Sequence, residues 1–231
     1  MTPRTNGDNL GDWFYNANPY YHRGFGLPNC TAYAWGRLSE ICNSPCSVTR
    51  GNAIDWASKQ GMTKINSPEQ GSCIIYSGGI LDSMGRFCGH IGVVEQVSPD
   101  GTIDVSMSSY GGYIWRLYRL SPKDGYYVPE SYGLTFHGFY MYDGVREVLN
   151  EEMEEFYARE IVKQMKRDIH QKKIESRESV FDFEPIGIIE NISYADCETS
   201  EYKNTYYDTS GALIFILLCV LILNIMFKGK H

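Results

Sequence analysis

The chain of 231 residues changes character at Asp143-Gly144. Before that point, short apolar and aromatic runs are punctuated by glycine. After it, charged residues recur at helical spacing from 145 to about 178. One core cannot wrap around both patterns. Short alternating runs make strands, whereas a long charged run with one narrow apolar stripe makes a helix that stands apart. The break therefore predicts a globular body over residues 1–143. It is followed by a charged amphipathic helix over 144–180, a linker over 181–210 and an apolar segment over 211–231.

Within the body, Gly26-Leu27-Pro28-Asn29 is a turn that runs into Cys30, and a helix is predicted from there to about Ile41. A cysteine in the first turn of a helix sits among unpaired N–H groups, and the positive helix end favours its thiolate. A nucleophile also needs a base. The candidate is His90, at the start of the strand predicted over 90–97. A second helix is predicted over 52–60. Strands are predicted over 72–76, 102–107, 113–118 and 136–142, with Ser98-Pro99-Asp100-Gly101 as a hairpin turn. The fold class is thus α+β, an antiparallel sheet with helices to one side. Residues 1–9 are expected to be disordered or an arm docked on a partner.

Four blocks then stand in order: Asn29-Cys30-Thr31 with Tyr33-Ala34-Trp35-Gly36-Arg37, Gly51-Asn52-Ala53 with Trp56-Ala57, Gly71-Ser72, and Gly89-His90-Ile91-Gly92-Val93-Val94-Glu95. Over about residues 10–142 they resemble the CHAP family, the cysteine, histidine-dependent amidohydrolases/peptidases, which are papain-like in fold and cut peptidoglycan. The resemblance implies that Cys30 is the nucleophile and His90 the base, with Cys88 as the rival thiol. It implies a third residue on the strand after the histidine strand, where the family commonly carries Val-Ser-Glu-x-Asn-Tyr-Gly. This chain has Val105-Ser106-Met107-Ser108-Ser109-Tyr110-Gly111 instead. Met107 stands in the place of the glutamate and Ser109 in that of the asparagine. Strand alternation puts both on one face, so Ser109 is the candidate third catalytic residue. Glu95 looks like a surface position of the family.

A formal charge of −7 gives no support for nucleic-acid binding. No cofactor is implied and no metal site is expected: no second Cys/His pair follows Cys42 and Cys46 at zinc spacing, and no acidic cluster in the first third suits calcium. Cys42 and Cys46 are close enough in sequence for a local disulfide in an oxidising setting. Residues 1–8 lack the apolar core of a signal peptide. A wall-cutting enzyme of this kind must reach its substrate by lysis, through a partner channel or inside a virion. The long helix changes from glutamate-rich to lysine- and arginine-rich along its length and wants a partner. Residues 211–227 carry no charge and, as a helix, would span about 26 Å, the short edge of what crosses a bilayer.

These features together lead to a tail-associated bacteriophage lysin, an endopeptidase or amidase acting on a stem or cross-bridge peptide of peptidoglycan. Virion tail proteins or self-association would engage the C-terminal part, and residues 211–227 would contact a membrane or serve assembly. The alternatives are a non-catalytic tail-tip structural or wall-binding protein, and a membrane-anchored bacterial wall-remodelling enzyme.

Overall fold

The computed structural model describes residues 1–127 and 133–178, with a compact unit over Met1–Glu178. The expected linker and the apolar helix over 211–227 lie outside the described residues. Helix α1 spans Cys30–Cys42. The strands are β1 (Met62–Ile65), β2 (Cys73–Gly78), β3 (His90–Val97), β4 (Ile103–Met107), β5 (Arg116–Leu120) and β6 (Leu134–Tyr142). Helix α2 runs from Asp143 to Glu178. All strand pairs are antiparallel, in the order β1-β6-β2-β3-β4-β5.

Strand β2 is the middle of this sheet, and its side chains alternate between two cores. Cys73 and Ile75 pack with Ile91 and Val93 of β3 against Ala34 and Leu38 of α1. Ile74 and Tyr76 face the other way, with Val94, Val105, Met107, Leu120 and Phe139. Leu120 and Phe139 belong to strands four places apart in the sheet, so the sheet curls until its second face closes on itself. That leaves α1 as the cover of the first face.

The close approach of the 3-10 turn Asp12–Phe14 to α1 depends on Gly36. A Cβ there would stand 2.6 Å from Phe14 Cδ1 and 2.9 Å from the Trp13 carbonyl oxygen. At its far end α1 is clamped to β3. Arg37 donates from Nε to Glu95 Oε1 at 2.9 Å and from Nη2 to Glu95 Oε2 at 2.8 Å. The same carboxylate accepts from Ser106 Oγ at 2.6 Å and from the Arg4 amide at 2.8 Å.

Glu95 is therefore not a surface position; it is 1% exposed. It is the extra residue of a bulge between Val94 and Gln96, and it shares the inward phase of Ile91 and Val93. The N-terminal arm is likewise ordered against its own body. Arg37 donates to the Thr2 carbonyl at 2.7 Å, and the Arg4 guanidinium lies over the Phe14 ring while pairing with Glu40. Glu95 has acceptor capacity that Arg37 alone does not fill, and the arm supplies the missing donor.

The second predicted helix is a six-residue 3-10 turn over Ala53–Ser58. Strand β1, Met-Thr-Lys-Ile, carries no alternation in its sequence that would announce it. Beyond Tyr142 the core continues: Val145 is fully buried and Leu149 packs against the α1-side cluster. Position 143 thus lies within the packed body.

Removing one partner of a buried ion pair strands the other charge. Arg37→Leu should lose about 3–5 kcal/mol of stability in urea unfolding. Glu155→Gln, which breaks the exposed Arg159–Glu155 pair on α2, should change it by less than about 0.5 kcal/mol.

Candidate functional site

Asn29 builds the start of α1. Its Oδ1 accepts from the Thr31 amide at 2.9 Å, the Ala32 amide at 3.1 Å and the Thr31 hydroxyl at 2.7 Å. The cap thereby claims two of the helix-start amides. The amide of Cys30 itself is the remaining donor beside the thiol. Cys30 is half-buried, and burial pushes its thiol up to about 11. Hydrogen bonding from the amides of Ile91, Thr31 and Cys30 pulls the other way. The expected thiolate-favouring helix end is present, but burial outweighs it.

The Ile91 amide hydrogen-bonds the Cys30 thiol, so the start of β3 lies against the start of α1. The His90 ring itself takes the opposite strand phase to Ile91, with Tyr76 and Met107. His90 pairs across the sheet with Tyr76, and their rings lie 6.4 Å apart. Burial lowers the His90 imidazole to about 4. Both groups are thus neutral at pH 7.

His90 Nε2 faces Met107 Sδ at 3.1 Å. Gly92 makes room for this contact: a Cβ there would stand 3.0 Å from Met107 Cε. Met107 is 3% exposed. Ser109 lies past the end of β4. Its amide donates to the Tyr113 carbonyl at 3.0 Å, and its own carbonyl accepts from Gly112 at 2.9 Å. No hydrogen bond joins Ser109 to His90 among the described residues; the group on Nε2 is Met107. The sequence signal for this was the alignment of Met107 with the family's glutamate.

Cys88, the rival thiol, is held differently. Burial raises it, and the carboxylates of Asp82 and Asp55 oppose its ionisation, with only Arg86 acting against them. Its carbonyl accepts from the Ile54 amide at 3.1 Å. Asp82 fastens the loop before it by accepting from the Met84 and Arg86 amides and from Asn52 Nδ2, each at 2.9 Å. This loop exposes Ile80, Leu81, Met84 and Phe87; Tyr21 and Phe25 are exposed ahead of Cys30, and Tyr110 and Ile114 after β4.

Cys42 and Cys46 are free thiols. Among the described residues no cluster of His, Cys, Asp or Glu could hold a metal ion, and no helix is long and apolar enough to cross a membrane.

Residues 11–109 match the family model described as the CHAP domain. A relative named "Probable autolysin LDP" of Staphylococcus aureus (strain NCTC 8325 / PS 47) is 36% identical over 102 residues, 43% of this chain and 34% of the relative. "Staphylococcal secretory antigen ssaA2" of the same strain is 29% identical over 114 residues, 48% of this chain and 37% of the relative. The chain thus spans about a third of the length of these curated relatives. A solved N-acetylmuramoyl-L-alanine amidase of Staphylococcus aureus matches at 23% identity with a TM-score of 0.29, covering 38% of this chain and 26% of that one, a likeness too slight to argue from.

A histidine whose imidazole is lowered in the folded state binds its proton sooner when unfolded. Stability should therefore fall as pH drops from about 6.5 to about 4, by about 3 kcal/mol from this group. His90→Gln should lack that component. Urea unfolding of both proteins at pH 7 and pH 4 measures it as a change in the gap between them.

Proposed function

Residues 11–109 form a CHAP domain, and from that premise we propose that the chain is a cysteine amidohydrolase that cleaves an amide bond of bacterial peptidoglycan. Cys30 is the nucleophile and His90 the general base. The single observation that carries this reading is the placement of the Cys30 thiol, at a capped helix start, against the amide that follows His90.

The chemistry follows from the two ring nitrogens. This reading puts the hydrogen on Nε2, which faces Met107 Sδ at 3.1 Å, and leaves the Nδ1 lone pair to take the Cys30 proton. The resting pair is neutral, so the proton moves as sulfur attacks the carbonyl carbon rather than beforehand. The tetrahedral oxyanion accepts from the Cys30 amide. The imidazolium returns its proton to the leaving amine, giving a thioester on Cys30. Water, deprotonated by His90, then hydrolyses the thioester and frees the new carboxylate. Cys88 suits the nucleophile's part less well, because carboxylates surround it where amides surround Cys30. The exposed aromatic and apolar residues of the loops next to Cys30, His90 and β4 supply a rim on which a stem or cross-bridge peptide lies.

A thioether fixes the imidazole but, unlike a carboxylate, cannot stabilise its charged form. This supports a slow enzyme. It also favours a second reading, a wall-binding module whose chemistry has weakened. The finer setting, a tail-associated phage lysin with residues 211–227 in membrane contact or assembly, rests on the sequence organisation alone. Mass spectrometry of purified phage particles tests that setting.

On purified Gram-positive walls, Cys30→Ser should lose amine release by more than about a thousandfold with unchanged thermal unfolding, while Cys88→Ser stays active. Full activity of Cys30→Ser would overturn the assignment. Met107→Glu should raise the rate about tenfold or more and shift the acidic limb of the pH profile upward. Wild-type binding to walls without amine release, together with hydrolysis by Met107→Glu, would favour the binding module. Ser109→Ala separates Ser109 from Met107 as the third member: a loss matching that of Met107→Leu would bring Ser109 into the site.

A further inference from the structure

Helix α2 leaves the body after Glu152, which pairs with the Met1 ammonium, and carries a row of large apolar side chains that nothing in the described chain covers. Met153, Tyr157, Ile161, Met165 and Ile169 follow one another every fourth residue. Met153, Tyr157, Ile161 and Ile169 are 54–61% exposed. Every-fourth spacing is one of the two ridges by which helices pack, and two such ridges interlock at an inclined crossing. A row of this kind in water needs a partner.

The charges say which partner. Residues 147–160 hold six glutamates against one arginine; residues 161–174 hold five lysines and arginines against one aspartate. The changeover falls beside Ile161, the middle of the apolar row. The row is therefore symmetric about its centre and the charge antisymmetric about the same point. A second copy of the helix, turned end for end, brings apolar row onto apolar row and opposite charges together on both sides. A parallel copy would set glutamates on glutamates. Pairs within the helix, such as Arg159–Glu155 and Lys163–Glu160, are exposed. They leave the helix's overall polarity intact.

We propose that α2 is a self-association surface on which two copies of this chain cross antiparallel about Ile161. The fold then gives a particle with two CHAP domains at opposite ends of the crossing, so two sites engage one wall polymer at once.

The test uses the full chain and two charge-reversed variants. One carries Lys163→Glu, Lys166→Glu and Arg167→Glu; the other carries Glu151→Lys, Glu154→Lys and Glu155→Lys. Sedimentation velocity should find wild type self-associated. Each variant alone should associate at least tenfold more weakly, and an equal mixture of the two should regain wild-type association. Ile161→Asp should weaken association with either charge pattern. The proposal is overturned by a wild type that is monomeric at tens of micromolar. It is also overturned by variants that associate as wild type does, which would mean another cover for the row, such as residues 211–227. A mixture that fails to regain association would overturn the antiparallel arrangement.

Discussion

The buried pair Arg37–Glu95 sets the position of everything near Cys30. Arg37 lies seven residues after Cys30, about 10 Å along a helix. Glu95 lies four residues after Ile91, about 13 Å along a strand, and the bulge at Glu95 shortens that path. The two intervals nearly match, so α1 and β3 run in step. The clamp at one end holds the Cys30 thiol against the Ile91 amide at the other. Ser106 and the Arg4 amide complete the carboxylate's partners, which ties β4 and the N-terminal arm to the same point. A one-residue slip of α1 along β3 would unpair a buried charge and move the thiol away from the Ile91 amide together.

That register brings the start of β3, which His90 opens, against the start of α1, which Cys30 opens. Burial raises the thiol and lowers the imidazole, and the group facing Nε2 is the uncharged thioether of Met107. A carboxylate in the same place would draw the imidazole upward and narrow the gap between the two groups. In the proposed reaction, burial restrains both groups until a bound peptide supplies the developing oxyanion and the leaving amine.

Much of this was legible in the sequence. The Asn29-Cys30 junction reads directly as a capped helix start, and glycines and hairpin residues mark the strands β2, β3, β4 and β6. The inward phase of Glu95 was also there to read, since it follows Ile91 and Val93 at strand spacing. The family resemblance pointed to the surface instead, and the partner that explains its burial, Arg37, lies on α1 fifty-eight residues away. Three things were not legible. The curl of the sheet depends on side-chain contacts between β5 and β6, consecutive in sequence but four places apart in the sheet, which no local pattern announces. The docking of residues 1–4 depends on spare acceptor capacity in a carboxylate ninety residues away. The net charge state of Cys30 depends on burial, which opposes the helix-end effect that the sequence does announce.

The central claim is that the thiol of Cys30, and no other, carries the acyl group during amide cleavage. An acid-quenched reaction of the wild-type chain with soluble muropeptides, digested and mapped by mass spectrometry, measures this directly. The account predicts a muropeptide-derived thioester on the peptide containing Cys30 and none on the peptide containing Cys88. An adduct on Cys88, or cleavage of the muropeptides with Cys30 unmodified throughout the time course, would contradict it.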